Sequence, residues 1–317
     1  MADHPKGAIL QRDKQTYAIV PRTPVGILTP DDLESLARVA RKYQIPVIKI
    51  TSGQRFALVG MKKEDVDKIW EDLGMDVGKA VELCLHYVQA CPGTTVCKFG
   101  VQDSLGLGTE IESFFSSMDL PAKVKIGVSG CPFCCGESFV RDIGIFGKKK
   151  GWTFIIGGSS ARRPRIGDIL KEDLSKDEVI DLSKRCLQQY QDKAKKKERM
   201  ARFVKLFNLA KTDRNDAITE IFKSKAIRMG SPTINRGILV SVAGIFEKIK
   251  GLKFKNKKAA AFGCYGWSGE STKITSEGLK DAGFEVVDDG IKAMWNPDNE
   301  NITKCIEYGR QLAAKIL

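Results

Sequence analysis

Two stretches concentrate the reactive side chains of this 317-residue chain: "CPGTTVCKFGVQDSLG", Cys91 to Gly106, and "KVKIGVSGCPFCCGESFVRDIGIFG", which starts at Lys123. They hold five of the nine cysteines, namely Cys91, Cys97, Cys131, Cys134 and Cys135. A disulfide framework is a poor account of them. A chain of this length buries a full core without covalent staples, and "MADHPKGAIL" contains no apolar leader. No run of about 18 apolar residues could cross a bilayer, so the expectation is a cytoplasmic protein, free of the membrane, with reduced thiols. Zinc favours C-x2-C pairs, whereas five residues separate Cys91 from Cys97 and three separate Cys131 from Cys135. Four thiolates from two separate loops suit an iron-sulfur cluster. Pro92, Gly93, Gly130 and Pro132 supply the turns through which backbone N–H groups approach sulfur. Cys84, Cys186 and Cys305, in helix-like apolar patterns, read as buried, unligated thiols.

These loops need a frame. Residues 1–75 read as strand "TYAIVP", a helix capped by Thr29 with Pro30 in its first turn, strands "PVIKIT" and "RFALVG", then helix "KEDVDKIWEDLG". That is the order of a ferredoxin-like half domain. Residues 76–205 carry the cysteine loops, strands near 123–129, 142–147 and 152–157, and helix "GTEIESFFSSM" between the loops. A long helix from Lys176, with Val179, Leu182, Cys186, Leu187 and Tyr190 as its apolar stripe, runs into "DKAKKKERMARF". Lys123 and Lys125 stand two apart on a strand and so share one face. From 206 to 317, strands and helices alternate: strand "VKLFNLAK", a helix capped by Thr212, and further strand–helix units, which implies a parallel sheet.

The order C-x5-C, K-x-K, S-G-C-P-x-x-C, D-I-G and "GGSSARRPRIG" resembles the iron-sulfur and sirohaem half of nitrite and sulfite reductases, over about the first 205 residues. The resemblance implies an α+β reductase unit in which Cys91, Cys97, Cys131 and Cys135 hold a 4Fe-4S cluster and Cys135 also bridges to sirohaem iron. Cys134 falls where the family often has a non-cysteine polar residue and reads as an extra thiol, with a ligand swap with Cys135 as the alternative. Lys123 and Lys125 match the family's anion-pocket lysines. Arg55 matches the arginine of the nitrite-reductase-like version, whereas many sulfite reductases carry it two residues earlier, at the position of Gly53. His86 stands where relatives have arginine, and either binds an anion, donates a proton near neutral pH, or is merely a packed or surface residue. Arg162, Arg163 and Arg165 resemble the loop that binds the macrocycle's carboxylates. Larger sulfite reductases contain two such units and this chain has one, which implies a homodimer.

"GSPTINRG" and "FGCYGWSGE" resemble the flavin-ring loops of the flavodoxin-like domain of A-type flavoproteins. By that resemblance Ser231, Pro232, Thr233, Asn235, Tyr265, Gly266, Trp267 and Ser268 surround an isoalloxazine ring, and an aromatic there can shield the flavin from water. No Ser/Thr/Gly-rich phosphate loop precedes them, so the resemblance admits FMN without its usual phosphate anchor. The net charge of +13 raises a nucleic-acid reading, but the lysine runs lack interleaved aromatics and any binding motif. The charge is assigned to solvated surface, to anionic cofactors and substrate, and to an acidic ferredoxin. The combined expectation is a sirohaem-dependent sulfite reductase, or a nitrite reductase of the same family, fed by ferredoxin or a flavoprotein. The competing class is a redox or cofactor-handling protein that does not complete the six-electron reduction.

Overall fold

The computed structural model describes residues 5–116, 118–162, 164–203 and 206–316 and divides into two compact units, Met1–Leu206 and Phe207–Leu317. The first unit opens with β1 (Ala8–Leu10), β2 (Tyr17–Ile19), α1 (Pro30–Lys42), β3 (Val47–Ile50), β4 (Phe56–Met61) and α2 (Val66–Leu73). The strands form an antiparallel sheet in the order β1-β2-β4-β3. Thr29 and Asp32 close a reciprocal capping box at the start of α1. Ile19, Leu58 and Met61 of the sheet pack with Leu36 and Val39 of α1 and Ile69 and Leu73 of α2. The edge strand β3 leaves Val47, Ile48 and Ile50 exposed.

The chain continues through β5 (Leu85–Ala90), α3 (Ser104–Phe115), β6 (Val124–Ser129), β7 (Ile143–Lys148), β8 (Gly151–Ile156), β9 (Asp168–Leu174), α4 (Lys176–Lys193) and α5 (Met200–Phe203). The five strands lie in chain order; β5, β6 and β7 are parallel, and β8 and β9 return antiparallel. Val88, Ile126, Ile145 and Phe154 of the sheet are buried with Ile111 of α3 and Val179 and Leu187 of α4. Burying that apolar surface supplies the main stabilisation. Two strands carry little signal in the sequence. β9 is a charged edge strand with only Leu174 buried, and β5 is interrupted by an irregularity between Leu85 and Tyr87.

The helix expected to continue into "DKAKKKERMARF" instead ends at Lys193. Ala194 turns extended, Lys197 takes φ 68° and gives its N–H to the Pro121 carbonyl at 2.6 Å, and the basic segment folds back. The reversal sends Arg199 inward, where both oxygens of the buried Asp142 carboxylate accept from it at 2.9 and 2.8 Å.

The second unit contains α6 (Arg214–Lys223), β10 (Ala226–Pro232), α7 (Val240–Ile249), β11 (Lys258–Tyr265), α8 (Ser271–Asp281), β12 (Glu285–Val286), β13 (Ile291–Met294) and α9 (Asn299–Ile316). Every ladder is parallel: β10 lies on one side of β11, and β12 and β13 follow each other along its other side. Ile245, Ile249, Ala259 and Leu279 are at its core. The cap of α6 is Asp213 rather than Thr212, because the Asp213 carboxylate accepts from the Asn215 N–H at 2.7 Å. The strand expected at "VKLFNLAK" is not formed by Leu206 to Leu209; its first two residues, 204 and 205, lie outside the described residues. Cys305 is exposed on α9, which corrects its expected burial; Cys84 is buried and Cys186 half-buried.

Candidate active site

The two cysteine loops leave the C-terminal ends of neighbouring parallel strands, β5 into Cys91 and β6 into Cys131. They pack glycine on glycine. A Cβ on Gly130 would lie 2.6 Å from Gly93 Cα, so any larger residue would push the loops apart. Cys91 Sγ accepts the Gly130 N–H at 3.1 Å and lies 3.3 Å from Ser104 Oγ. Cys91 and Cys131 are buried, Cys97 and Cys134 half-buried and Cys135 exposed. Burial, and then the thiols of Cys131, Cys135 and Cys91, push the Cys134 thiol up to about 11.

Among the described residues, no three Cys, His, Asp or Glu side chains converge as ligands of a single ion. The loops nevertheless fit a cluster, whose ligating sulfurs bind separate irons and stand further apart. Buried sulfurs, an amide aimed at sulfur and glycine-only packing are the environment such a cluster requires.

After Cys131 the chain doubles back across the sheet. Gly136 gives its N–H to Ser129 Oγ at 2.9 Å, and the Glu137 carboxylate accepts from Arg141. Cys135 itself is exposed on this loop, and the cations collect around Tyr87 of β5. Arg55 arrives there on the tight β3–β4 connection, in which Thr51 N–H bonds the Arg55 carbonyl at 2.8 Å. Gln54 of the same connection exchanges two 3.3 Å hydrogen bonds with the backbone of Ala90, which fixes the connection along β5.

On β5 the pairing slips between Leu85 and Tyr87: Leu85 opposes Val124 and Tyr87 opposes Lys125, leaving His86 as the extra residue of a bulge. Regular pleating would send His86 and Tyr87 to opposite faces. The bulge lets both reach Arg55. His86 Nε2 lies 3.0 Å from Arg55 NH2, and the Arg55 guanidinium sits 5.5 Å from the Tyr87 ring centre. Because arginine only donates, Nε2 accepts and the ring is neutral, so Nδ1–H donates to the Lys79 carbonyl at 3.1 Å. Burial, followed by Arg55, Lys123 and Lys125, pushes the His86 pKa down to about 3. As placed, His86 orients Arg55 and is not an imidazolium acid near neutral pH, its one N–H being engaged by the Lys79 carbonyl.

Lys125 and Arg141 also approach the Tyr87 ring, each at 5.7 Å. Arg141 is 3% exposed, bonds Gln89 Oε1 at 2.8 Å and Ser160 Oγ at 3.0 Å, and its Nε is buried without a partner, as is that of Arg55. Lys123 Nζ donates to the Ala80 carbonyl. Burial lowers the pKa of both lysines. Asp142, 1% exposed, accepts from Arg199 and from the Lys125 N–H at 3.0 Å. Arg55, Lys123, Lys125, Arg141 and Arg199 outnumber by one the carboxylates that act on them, Glu82, Glu112, Glu137 and Asp142, in one partly dry region. Orphaned guanidinium N–H groups among excess cations call for an oxyanion, and they fit both a small anionic substrate and the carboxylates of sirohaem.

The structure separates the expected arginine loop. Arg165 is committed to the Gly157 carbonyl at 2.6 Å and to Asp168, Arg162 is exposed, and Arg163 lies outside the described residues. Sequence reasoning missed Tyr87, Arg141, Asp142 and Arg199. "VRDIG" offered a signal for the middle two, whereas Arg199 was hidden in a basic run that looked solvated.

In the second unit, the loops after β10 and β11 lie side by side at the strand ends. Ser231 is buried, with its Oγ accepting the Leu239 N–H at 2.9 Å, and Thr233 Oγ1 donates to Ser271 Oγ at 3.0 Å. Asn235 and Arg236, with φ of 49° and 58°, form a two-residue turn closed between Ile234 and Gly237. Tyr265 lies under Lys292 Nζ at 5.4 Å, Ser268 bonds Glu270, and Trp267 stands 91% exposed. Trp295, which the sequence reading did not single out, packs its ring over Gly266 and is also exposed. These loops can receive a planar aromatic ring, yet among the described residues of this unit no strand–loop–helix precedes α6 to cradle a phosphate.

Cluster loops at parallel strand ends, a cationic pocket reached by the same strands, and a parallel α/β unit that follows in the chain define an iron-sulfur oxidoreductase with an electron-transfer module. The family models agree in each part. The nitrite/sulfite reductase ferredoxin-like half domain matches residues 9–75, the nitrite and sulphite reductase 4Fe-4S domain residues 83–213, and flavodoxin residues 188–309. An assimilatory-type sulfite reductase of Nitratidesulfovibrio vulgaris is 64% identical over 204 residues, 64% of this chain and 94% of that relative. The chain belongs to the nitrite and sulfite reductase family, whose members are sirohaem-dependent oxidoreductases. A nitrite reductase [NAD(P)H] of Bacillus subtilis is 40% identical over 203 residues, 64% of this chain but only 25% of that relative. Over the second unit, an anaerobic nitric oxide reductase flavorubredoxin of Aeromonas hydrophila is 46% identical over 110 residues, 35% of this chain and 22% of that relative.

Proposed function

We propose that the protein reduces sulfite to sulfide, with Cys91, Cys97, Cys131 and Cys135 holding the 4Fe-4S cluster and Cys135 meeting sirohaem. The observation that carries this reading is the surplus of cations, Arg55 and Arg141 buried among them, gathered around Tyr87 on the strand that leads into Cys91. Cluster and macrocycle, when bound, accept and pass on the electrons that no side chain can hold. The chain's own residues bind and hold the anion. Lys123, just before β6, Lys125, on it, and Arg55 neutralise a small oxyanion, and the low-dielectric surroundings strengthen each contact. His86 keeps Arg55 aimed, and Asp142 fixes the strand that carries Lys125. Each oxygen that leaves as water needs protons, and the lysines, whose pKa values burial lowers, are suited to supply them.

Replacing Lys123 and Lys125 together by glutamine tests the assignment. The haem absorption should survive and sulfite turnover should fall by about a hundredfold or more; unchanged turnover would remove both lysines from the pocket. Nitrite is the second reading, favoured by Arg55 in the nitrite-reductase-like position, and relative kcat/KM for the two anions decides between them.

Residues 1–75, 76–205 and 206–317 are read as ferredoxin-like half, cluster and sirohaem domain, and partial flavodoxin-like domain. The last would take FMN through Ser231, Thr233, Asn235, Tyr265 and Trp267 and relay electrons from a ferredoxin or flavoprotein. Arg162, Arg163 and Arg165 remain the candidates for the macrocycle's carboxylates. A homodimer is supported by the exposed Val47, Ile48 and Ile50 on the open edge strand β3, and sedimentation of an Ile48→Lys variant tests it. No helix among the described residues is long and apolar enough to cross a membrane, in keeping with the proposed cytoplasmic location.

A further inference from the structure

Tyr87 occupies the centre of the cationic pocket, and nothing in its surroundings explains why it is tyrosine rather than phenylalanine. The residue is 5% exposed, and its hydroxyl is buried without a partner in hydrogen-bonding geometry. Ser52 is the polar side chain that approaches the phenol, but no hydrogen bond of normal geometry joins them, and the nearby Glu137 carboxylate is taken by Arg141. Leaving a hydroxyl dry and unpaired costs about 1–3 kcal/mol, so such a group points to a missing acceptor. The neighbours identify the acceptor's chemistry. Arg55 at 5.5 Å and Lys125 and Arg141 at 5.7 Å approach the same ring, and the Nε groups of Arg55 and Arg141 are orphaned beside it. Several unpaired donors around one point, all neutral or cationic, match an oxyanion.

Backbone geometry was shaped to put the ring there. The β5 bulge, with His86 as the extra residue, sets Tyr87 opposite Lys125. On the other side, Gly53 leaves the space the ring fills, since a Cβ at Gly53 would lie 2.7 Å from ring carbon Cδ1 and 2.8 Å from Cε1. The absent side chain at Gly53 and the ring of Tyr87 are therefore two halves of one arrangement.

We infer that the Tyr87 hydroxyl donates a hydrogen bond to an oxyanion bound in this pocket, either the substrate anion or a carboxylate of the tetrapyrrole. This rests on the reductase reading for the identity of the anion. Tyr87 supplies the neutral donor that His86, held as an acceptor from Arg55, does not.

The test uses the full chain purified with cluster and haem, and compares it with Tyr87→Phe, which keeps the ring and its stacking on the cations. Three quantities are read: haem per chain, the sulfite dissociation constant from the shift of the visible bands, and the thermal unfolding midpoint. Read without sulfite, a hydroxyl serving the substrate predicts an unchanged or higher midpoint, because removing an unpaired buried hydroxyl relieves the fold, whereas one paired with a tetrapyrrole carboxylate predicts a lower midpoint together with lower haem content. About tenfold weaker sulfite binding at full haem content identifies the substrate as acceptor. Lower haem content with unaltered sulfite affinity in the loaded fraction identifies a tetrapyrrole carboxylate. Unchanged haem content and affinity, or a lowered midpoint as the sole effect, overturns the inference. If Tyr87→Phe does not fold, Gly53→Ala, which displaces the ring without deleting it, is read against the same three outcomes. A parent protein whose bands ignore sulfite would sink the reductase reading, while its haem content would still report on Tyr87.

Discussion

His86 yields a prediction that can be followed from a hydrogen bond to a titration. Its Nε2 accepts from Arg55 at 3.0 Å, and protonating that nitrogen would set two donors against each other beside Lys123 and Lys125. The folded pKa is thereby pushed down to about 3 from the ordinary 6.5. The sign follows from proton binding: between those values the unfolded chain takes up a proton that the folded chain refuses. Stability contributed by neutral His86 is thus complete above pH 6.5 and lost as pH falls, by about 1.4 kcal/mol per unit, or at most about 2 kcal/mol at pH 5. The chain has only two histidines, so ring-labelled NMR resolves both, and His86→Gln assigns the signals. The His86 resonance should stay flat from pH 8 to 4.5, and His86→Gln should reduce the slope of denaturant stability against pH between 6.5 and 5. A His86 titrating near 6.5, or a slope unchanged by the substitution, would refute the acceptor role and with it the positioning of Arg55.

Other consequences are open to direct measurement. Cys134→Ala should leave iron and acid-labile sulfide per chain unchanged, whereas Cys135→Ser should lower both; the opposite pattern would exchange the roles of Cys134 and Cys135. Asp142→Ala strips the carboxylate from Arg199 and Lys125 N–H, and since the Arg199 side chain is 36% exposed the loss should be about 1–3 kcal/mol, seen as a lower denaturation midpoint. Trp267→Ala should leave the melting temperature alone, because the indole is 91% exposed, while weakening FMN binding followed by flavin fluorescence.

Much of the chemistry was legible in the residues themselves. Cysteine spacing with glycine and proline turns indicated a cluster because sulfur ligation and close amide approach impose local requirements that short motifs record. The apolar runs of β6 and β8, buried on both faces, and the 3.6-residue stripe of α4 announced their elements, because burial dictates sequence there. Thr29 and Pro30 marked the start of α1 for the same local reason.

What the sequence by itself determined, then, was which loops hold thiols, which strand carries the paired lysines and that a parallel α/β unit follows. Only the tertiary structure decided where the other charges go. Arg199 sits in a basic run whose composition reads as solvated, yet a break after Lys193 returns it to Asp142, and a buried carboxylate takes the partner the chain path delivers. The neutrality of His86 and the central place of Tyr87 depend on a one-residue bulge and on a glycine more than thirty residues earlier. A pairing register and a void are properties of two segments at once, so neither segment's sequence records them.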